Sequence, residues 1–196
     1  MTRAEATAIF ARLLADKKGD TIVPVENTKF EDIPSNAWYS GYARYLNNYG
    51  VVYGTAEGKF SPDKPITRAE FVAMSVRFFE VYGDGNPVIM EQYAEFNDVS
   101  EGYWAAEYIK DAAIHGWIKG YGDGTFRATA NITRAEAVTI INRLLGRVAD
   151  EDYIDANLRR LTTFTDMDPK HWAYYEVMES ANAHTADVTK GESWMK

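Results

Sequence analysis

The sequence predicts a mainly α-helical protein built from helix–loop–helix units, and three observations carry that expectation. Thr-Arg-Ala-Glu occurs three times, at Thr2–Glu5, Thr67–Glu70 and Thr133–Glu136, with starts 65 and 66 residues apart. Each copy opens an apolar run at helical spacing. Between copies stand a shorter helical pattern and a loop rich in turn residues, so the repeating unit is helix, loop, helix. One such pair of helices cannot bury its apolar face alone, and the units must pack on one another.

Taken in order, Thr2 to about Leu14 places Ile9, Phe10, Leu13 and Leu14 on one helical face. Thr-x-x-Glu before an apolar run is a capping box, so Thr2/Glu5, Thr67/Glu70 and Thr133/Glu136 are assigned to helix starts. Residues 16–28, with Lys-Lys-Gly-Asp and a proline, read as a connecting loop. Phe30-Glu-Asp32-Ile33 and Trp38 lead into a second helix through Tyr42, Tyr45, Leu46 and Tyr49, which stops at Gly50, a left-handed cap. Turn chemistry from Gly54 to Asp63 brings the chain to Ile66 and the second Thr-Arg-Ala-Glu. Its helix carries Phe71, Met74, Phe78 and Tyr82 inward, and Ile66 and Phe71 are placed as a hydrophobic staple.

The block then repeats. Phe96-Asn-Asp98-Val99 and Trp104 match Phe30–Ile33 and Trp38 at a shift of 66, and Gly116–Phe126 matches Gly50–Phe60 in spacing. Asp123-Gly124 is a tight-turn signal that a short hairpin could flank. Val138, Ile141, Leu144 and Leu145 form the buried stripe of the third Thr-Arg-Ala-Glu helix. Phe164-Thr-Asp166-Met167 and Trp172 start a further half-unit whose helix carries Tyr175, Val177 and Met178, with no glycine loop after it. The organisation is therefore a second half-repeat over 1–26, complete repeats over 27–90 and 91–149, a linker over 150–162 with room for a short helix, and a first half-repeat over 163–196. Met1 stands where Ile66 and Ile132 stand in the other copies, so the chain reads as a fragment that begins in mid-repeat, and a missing export signal carries little weight.

Composition bounds the function. The 196 residues are 46% hydrophobic and 26% charged, with 13 Tyr and 5 Trp, which suits a folded globular chain. A net charge of −8 argues against a general nucleic-acid binder, which needs a basic face. No apolar run approaches the roughly 20 residues that span a bilayer. With no cysteine, neither a disulfide framework nor a thiolate metal site is possible.

Phe-x-Asp-Val, Trp-Ala, Gly-x-Ile-x-Gly-Tyr-x-Asp-Gly-Thr-Phe and Ile-Thr-Arg-Ala-Glu, in that order over 96–145, resemble the S-layer homology repeat. Residues 30–79 follow the same pattern with a looser loop. The resemblance implies three such units in a pseudo-threefold arrangement, with turns or hairpins in the glycine-rich loops. It also implies a non-catalytic module that tethers exported proteins to the bacterial cell wall, outside the cell. The implied partner is a peptidoglycan-linked secondary cell-wall polysaccharide, commonly carrying pyruvylated amino sugars and held in grooves near the Thr-Arg-Ala-Glu helix starts. Other copies in a surface layer are a second kind of partner; no cofactor is expected. Departures from the pattern are Gly54-Thr-Ala-Glu-Gly58 in place of the Tyr-x-Asp-Gly loop, and Arg127-Ala-Thr where Ser61-Pro-Asp63 stands in the other copy.

The candidate ligand residues follow from chemistry. Arg3, Arg68 and Arg134 occupy first helical positions, beside unpaired N–H groups and the positive end of the helix dipole. A guanidinium fork suits a carboxylate such as that of a pyruvyl ketal; the competing role is pairing with an acidic neighbour from another unit. Arg68 and Arg134 follow loops and rank ahead of Arg3, which follows none. Trp38, Trp104 and Trp172 offer faces for a sugar, although the commoner role of such a residue is core. Asp98, like Asp32 and Asp166, stands before a helix and most simply braces a loop. Gly120, Gly122, Asp123 and Gly124 shape the loop and let a ligand approach main-chain N–H groups.

Enzyme signals are weak. There is no Gly-x-Ser-x-Gly and no phosphate-binding loop. Asp166, Asp168 and His171 can be drawn as a metal trio, but turn and cap roles explain them better, and no metal is expected. A self-assembly module of a surface layer is the main alternative, and part of a wall-active glycoside hydrolase a lesser one.

Overall fold

The computed structural model describes residues 1–24, 29–83, 89–186 and 194–195. The expected boundary at residue 26 lies outside them. The described residues form a mainly α fold with two compact units, Met1–Ile132 and Thr133–Lys196. The first holds α1 (Arg3–Lys18), α2 (Ser40–Asn48), α3 (Arg68–Tyr82) and α4 (Ala106–Ile114). The second holds α5 (Arg134–Leu144), α6 (Glu151–Asn157), α7 (Tyr174–Ala181) and the two-residue antiparallel strands β1 (Thr185–Ala186) and β2 (Trp194–Met195).

All three Thr-Arg-Ala-Glu copies form complete capping boxes. The Glu5, Glu70 and Glu136 N–H groups each donate to the threonine Oγ1 at 3.2 Å, and the three glutamates accept the Thr2, Thr67 and Thr133 N–H at 2.7, 2.9 and 2.9 Å. The helix α1 runs through Lys18, past the loop start expected at Asp16. The residues Ala15 to Lys18 suit a helix, and the chain stops only at Gly19 with φ 70°. The glycine expected to end α2 does so, Gly50 at φ 72°.

In the first unit α3 is the hub and packs on both α1 and α4. Phe71, Val72, Met74, Val76 and Phe78 are buried around almost its whole girth. Phe10 of α1 sits 5.3 Å from Phe71 and 5.0 Å from Phe78, ring centroid to centroid. Each fully buried phenylalanine contributes roughly 2–3 kcal/mol of transfer free energy. Ile66 and Phe71, the expected staple, are both fully buried.

The loops after α2 and α4 are built alike. Phe30 packs on Phe60 and Phe96 on Phe126, both pairs at 5.3 Å. Each loop then docks on the start of the preceding Thr-Arg-Ala-Glu helix. Arg3 N–H donates to the Lys64 carbonyl and Ala4 N–H to the Pro62 carbonyl, both at 3.0 Å. One repeat later, Arg68 N–H donates to Ala130 O at 2.9 Å and Ala69 N–H to Ala128 O at 3.0 Å. The repeats are thus stitched through helix N-termini, whose N–H groups lack partners within the helix. The Asp123-Gly124 signal is a tight turn, Tyr121 N–H donating to Thr125 O at 2.8 Å, and no named strand flanks it.

In the second unit α7 packs against α5 and α6, with Ile154, Tyr174 and Met178 as a small core. Asn142 of α5 donates to Glu176 O at 2.9 Å and accepts from the Ser180 hydroxyl at 2.7 Å. The linker expected over 150–162 contains α6, started by Asp150, which accepts the Tyr153 N–H at 2.9 Å. Among the described residues no helix is long and apolar enough to cross a membrane.

Candidate functional site

Arg3 and Arg68 lead their helices as expected, but both are only 6% exposed, and each holds a loop. Arg3 Nη2 donates to the Tyr53 carbonyl, and the guanidinium lies over Phe60, 5.3 Å from its centroid. Arg68 Nε donates to the Phe126 carbonyl at 2.8 Å, with Phe126 and Tyr121 at 4.6 and 4.9 Å. The expectation of unpaired helix N–H groups around these arginines is corrected. Loop carbonyls and the threonine hydroxyls take the first N–H groups of α1 and α3, so those helix ends are closed to an anion. Arg134, in the second unit, is exposed.

The aspartates brace, as the simplest expectation held. Asp32 accepts the N–H groups of Phe60 and Ser61, both at 2.8 Å, and Asp98 those of Phe126 and Arg127, both at 2.7 Å. The clamp stabilises an unusual backbone. Ser61 and Arg127 have φ of 58° and 59°, a left-handed conformation that costs non-glycine residues energy. Burial pushes the Asp32 carboxyl up, but the Phe60 and Ser61 N–H donors, joined by its own N–H and the charge of Lys59, together hold it below its ordinary range. Gly120 is required by packing: a Cβ there would meet Phe96 Cε1 at 2.3 Å. Gly122 has open space around it.

Asp123 is tied into the loop it turns. Thr125 Oγ1 donates to it at 2.6 Å and Arg127 Nη2 at 3.0 Å, and these with the Thr125 N–H hold its carboxyl down at about 2. The counterpart loop has Thr55 Oγ1 and Ser61 Oγ 2.7 Å apart instead.

Within the first unit a groove of about 590 Å³ opens beside Arg3. Its lining includes Arg3, Tyr53, Thr55, Lys64, Arg77 and Trp104. The Glu70 carboxylate also borders it, engaged by the Thr67 N–H and hydroxyl and by Lys64 Nζ at 3.1 Å. Burial alone would raise Glu70, yet these partners lower it. Burial pushes the Arg3 guanidinium down, Glu70 opposing and Arg77 adding to the shift. The groove thus has the Arg3 and Arg77 guanidiniums and the Lys64–Glu70 ion pair in its wall, beside the exposed rings of Tyr53 and Trp104.

The tryptophans correct the core assignment. Trp38 and Trp104 are 55% exposed and Trp172 is 62% exposed. They stand at the turns that open the short helices, pointing away from the packed faces. Trp104 lines the groove. Trp38 meets Tyr39 and Tyr42 edge-on. Asp166 is exposed. Of the drawn metal trio, Asp168 accepts the Lys170 N–H at 2.8 Å and His171 the Ala173 N–H at 3.2 Å.

Arg77 was missed by the sequence reading. It lies between Tyr53 and Tyr108, 4.8 and 4.6 Å from their centroids. The signal was present. Arg12, Arg77 and Arg143 each follow a Thr-Arg-Ala-Glu arginine by nine residues. Arg12 packs over Tyr42 and Arg143 pairs with Glu176, the positions matching Tyr108.

A fold of capped helices stitched through glycine-containing loops, with a cationic, aromatic groove between repeats, defines a class of repeat module. The chain carries S-layer homology domains: the profile of that family matches residues 29–72 and 95–138. A cellulosome-anchoring protein of Acetivibrio thermocellus is 35% identical over 191 residues, covering 96% of this chain and 40% of that protein. An endoglucanase of Bacillus sp. is 31% identical over 79% of this chain and 16% of its own length. A surface-layer 125 kDa protein of Lysinibacillus sphaericus is 28% identical over 79% of this chain and 12% of its own length. The chain spans less than half the length of each of these relatives.

Proposed function

We infer that the chain is a non-catalytic cell-surface anchor that holds an anionic, pyruvylated secondary cell-wall polysaccharide in the groove beside Arg3. The observation that carries this reading is the groove's composition. Arg3, Lys64 and Arg77 converge in a chain of net charge −8, beside the exposed ring of Trp104. A local cationic site of this kind recognises a carboxylate without a global field, and an exposed indole face stacks on a sugar. The relatives support a portable module: an anchoring protein, an endoglucanase and a surface-layer protein share it, and their names have no one reaction in common.

Trp104 stacks on the sugar and Arg77, with Arg3 behind it, faces the carboxylate. Arg68, Arg134, Trp38, Asp98, Gly120, Gly122 and Asp123 are not among the residues that line this groove. Sedimentation with native and polymer-stripped sacculi tests the reading. The chain is expected in the pellet only with native walls. Equal retention by both would remove polymer recognition and favour self-assembly or general wall adhesion, and sugar release would favour a hydrolase.

A further inference from the structure

The two complete repeats have the same loop backbone but differ in what stands over their arginine. Thr55 N–H donates to Lys59 O at 2.8 Å, and Tyr121 N–H to Thr125 O at 2.8 Å, so the turns superimpose in hydrogen bonding. In the second loop the Arg68 guanidinium lies over the Tyr121 ring at 4.9 Å and over a second ring, Phe126, at 4.6 Å. Arg127 then covers Tyr121 at 3.9 Å and is itself held by Asp123 at 3.0 Å. Four side chains of one loop therefore build a locked aromatic cover over Arg68. In the first loop the matching positions are Thr55 and Ser61, whose hydroxyls bond to each other at 2.7 Å, Thr55 Oγ1 also donating to the Lys59 carbonyl of the same loop at 3.4 Å. Arg3 has an aromatic ring from its own loop, Phe60, at 5.3 Å, and it borders the open groove.

We propose that Thr55 and Ser61 select which repeat binds: their small side chains leave the Arg3 groove open, whereas Tyr121 and Arg127 cap Arg68 and spare that repeat for structure. The departure of residues 54–58 from the repeat pattern is then the feature that makes the site, and the fuller motif is the closed copy. The proposal rests on the groove reading given above. It reverses the ranking of the arginines by loop quality.

The test transplants the cover. Wild type and Thr55→Tyr/Ser61→Arg are titrated calorimetrically with the methyl glycoside of a pyruvylated amino sugar. Thermal melts check folding. The double variant is expected to bind at least about tenfold more weakly than wild type, the loss expected from one blocked contact region. Should the double variant not fold, Thr55→Leu and Ser61→Arg singly each bring part of the cover and are expected to weaken binding. A folded double variant, or both folded single variants, binding as wild type overturns the loop assignment while leaving the groove reading intact. Absence of binding by wild type itself removes the groove reading, and this inference with it.

Discussion

Arg77 reaches from α3 to α4 and gives Nε and Nη2 to the single hydroxyl of Tyr108, at 3.1 and 3.0 Å. The guanidinium is thereby fixed between two tyrosine faces at the wall of the groove. Tyr108→Phe keeps the ring and removes the acceptor, and is expected to cost about 1–2 kcal/mol in urea denaturation. Arg77→Ala is expected to release the chain from native sacculi. Arg12→Ala, whose guanidinium lies over Tyr42 and does not line the groove, leaves retention unchanged. Equal effects of the two arginine variants on retention would place the recognition elsewhere.

Trp104 separates a binding role from a packing role. A buried tryptophan truncated to alanine costs roughly 3–5 kcal/mol. This one is more than half exposed, so Trp104→Ala is expected to change stability by no more than about 0.5 kcal/mol. Pull-down with native sacculi is expected to fall sharply in the same variant. Large destabilisation with normal retention would restore the core assignment.

How much of this was legible depended on whether a role was local. The capping boxes and the stop at Gly50 follow from short-range chemistry, and the sequence predicts each; of the expected inward faces Phe10, Leu14, Phe71, Met74 and Phe78 are buried, whereas Ile9, Leu13 and Tyr82 are only half-buried. The aspartate braces were legible as loop contacts because Asp32 and Asp98 recur at one shift. Apart from the end of α1, which runs on to Lys18, the failures are long-range. Whether Trp104 faces the core or solvent depends on the turn at Ser100–Tyr103, which residue identity does not specify. The fate of the α1 and α3 N–H groups depends on loops about 60 residues away. Arg77 carried a periodic signal, but its meaning lies in Tyr53 and Tyr108, brought to it by packing.

The aspartate clamp predicts an acid limit. Asp32 and Glu70 have folded-state values held below their ordinary ones, and Asp123 lies at about 2. A depressed carboxyl contributes stability above its unfolded value, near 4, and loses it as pH falls through the folded value. The melting temperature is therefore expected to stay level from about pH 7 to 5 and to fall below about pH 4. Asp32→Ala also strands two N–H groups at the left-handed Ser61, with an expected loss of about 2–3 kcal/mol at neutral pH. A melting temperature unchanged down to about pH 2.5 would contradict the clamp as an energetic feature.

The second Thr-Arg-Ala-Glu box predicts a cap of ordinary size. Thr67→Ala is expected to cost about 1 kcal/mol by chemical denaturation, and Thr67→Ser much less, since the hydroxyl is kept. A Thr67→Ser loss as large as that of Thr67→Ala would shift the weight from capping to the methyl group.

The groove beside Arg3 is the centre of the account, and a nitrogen-15 NMR titration with the purified wall polymer tests it most directly. Saturable shifts are expected at the Trp104 indole N–H, at the Gly54 and Thr55 amides and at Arg77 Nε, with those around Asp123 staying in place. Shifts confined to residues outside that groove, or none at saturating polymer, would contradict it.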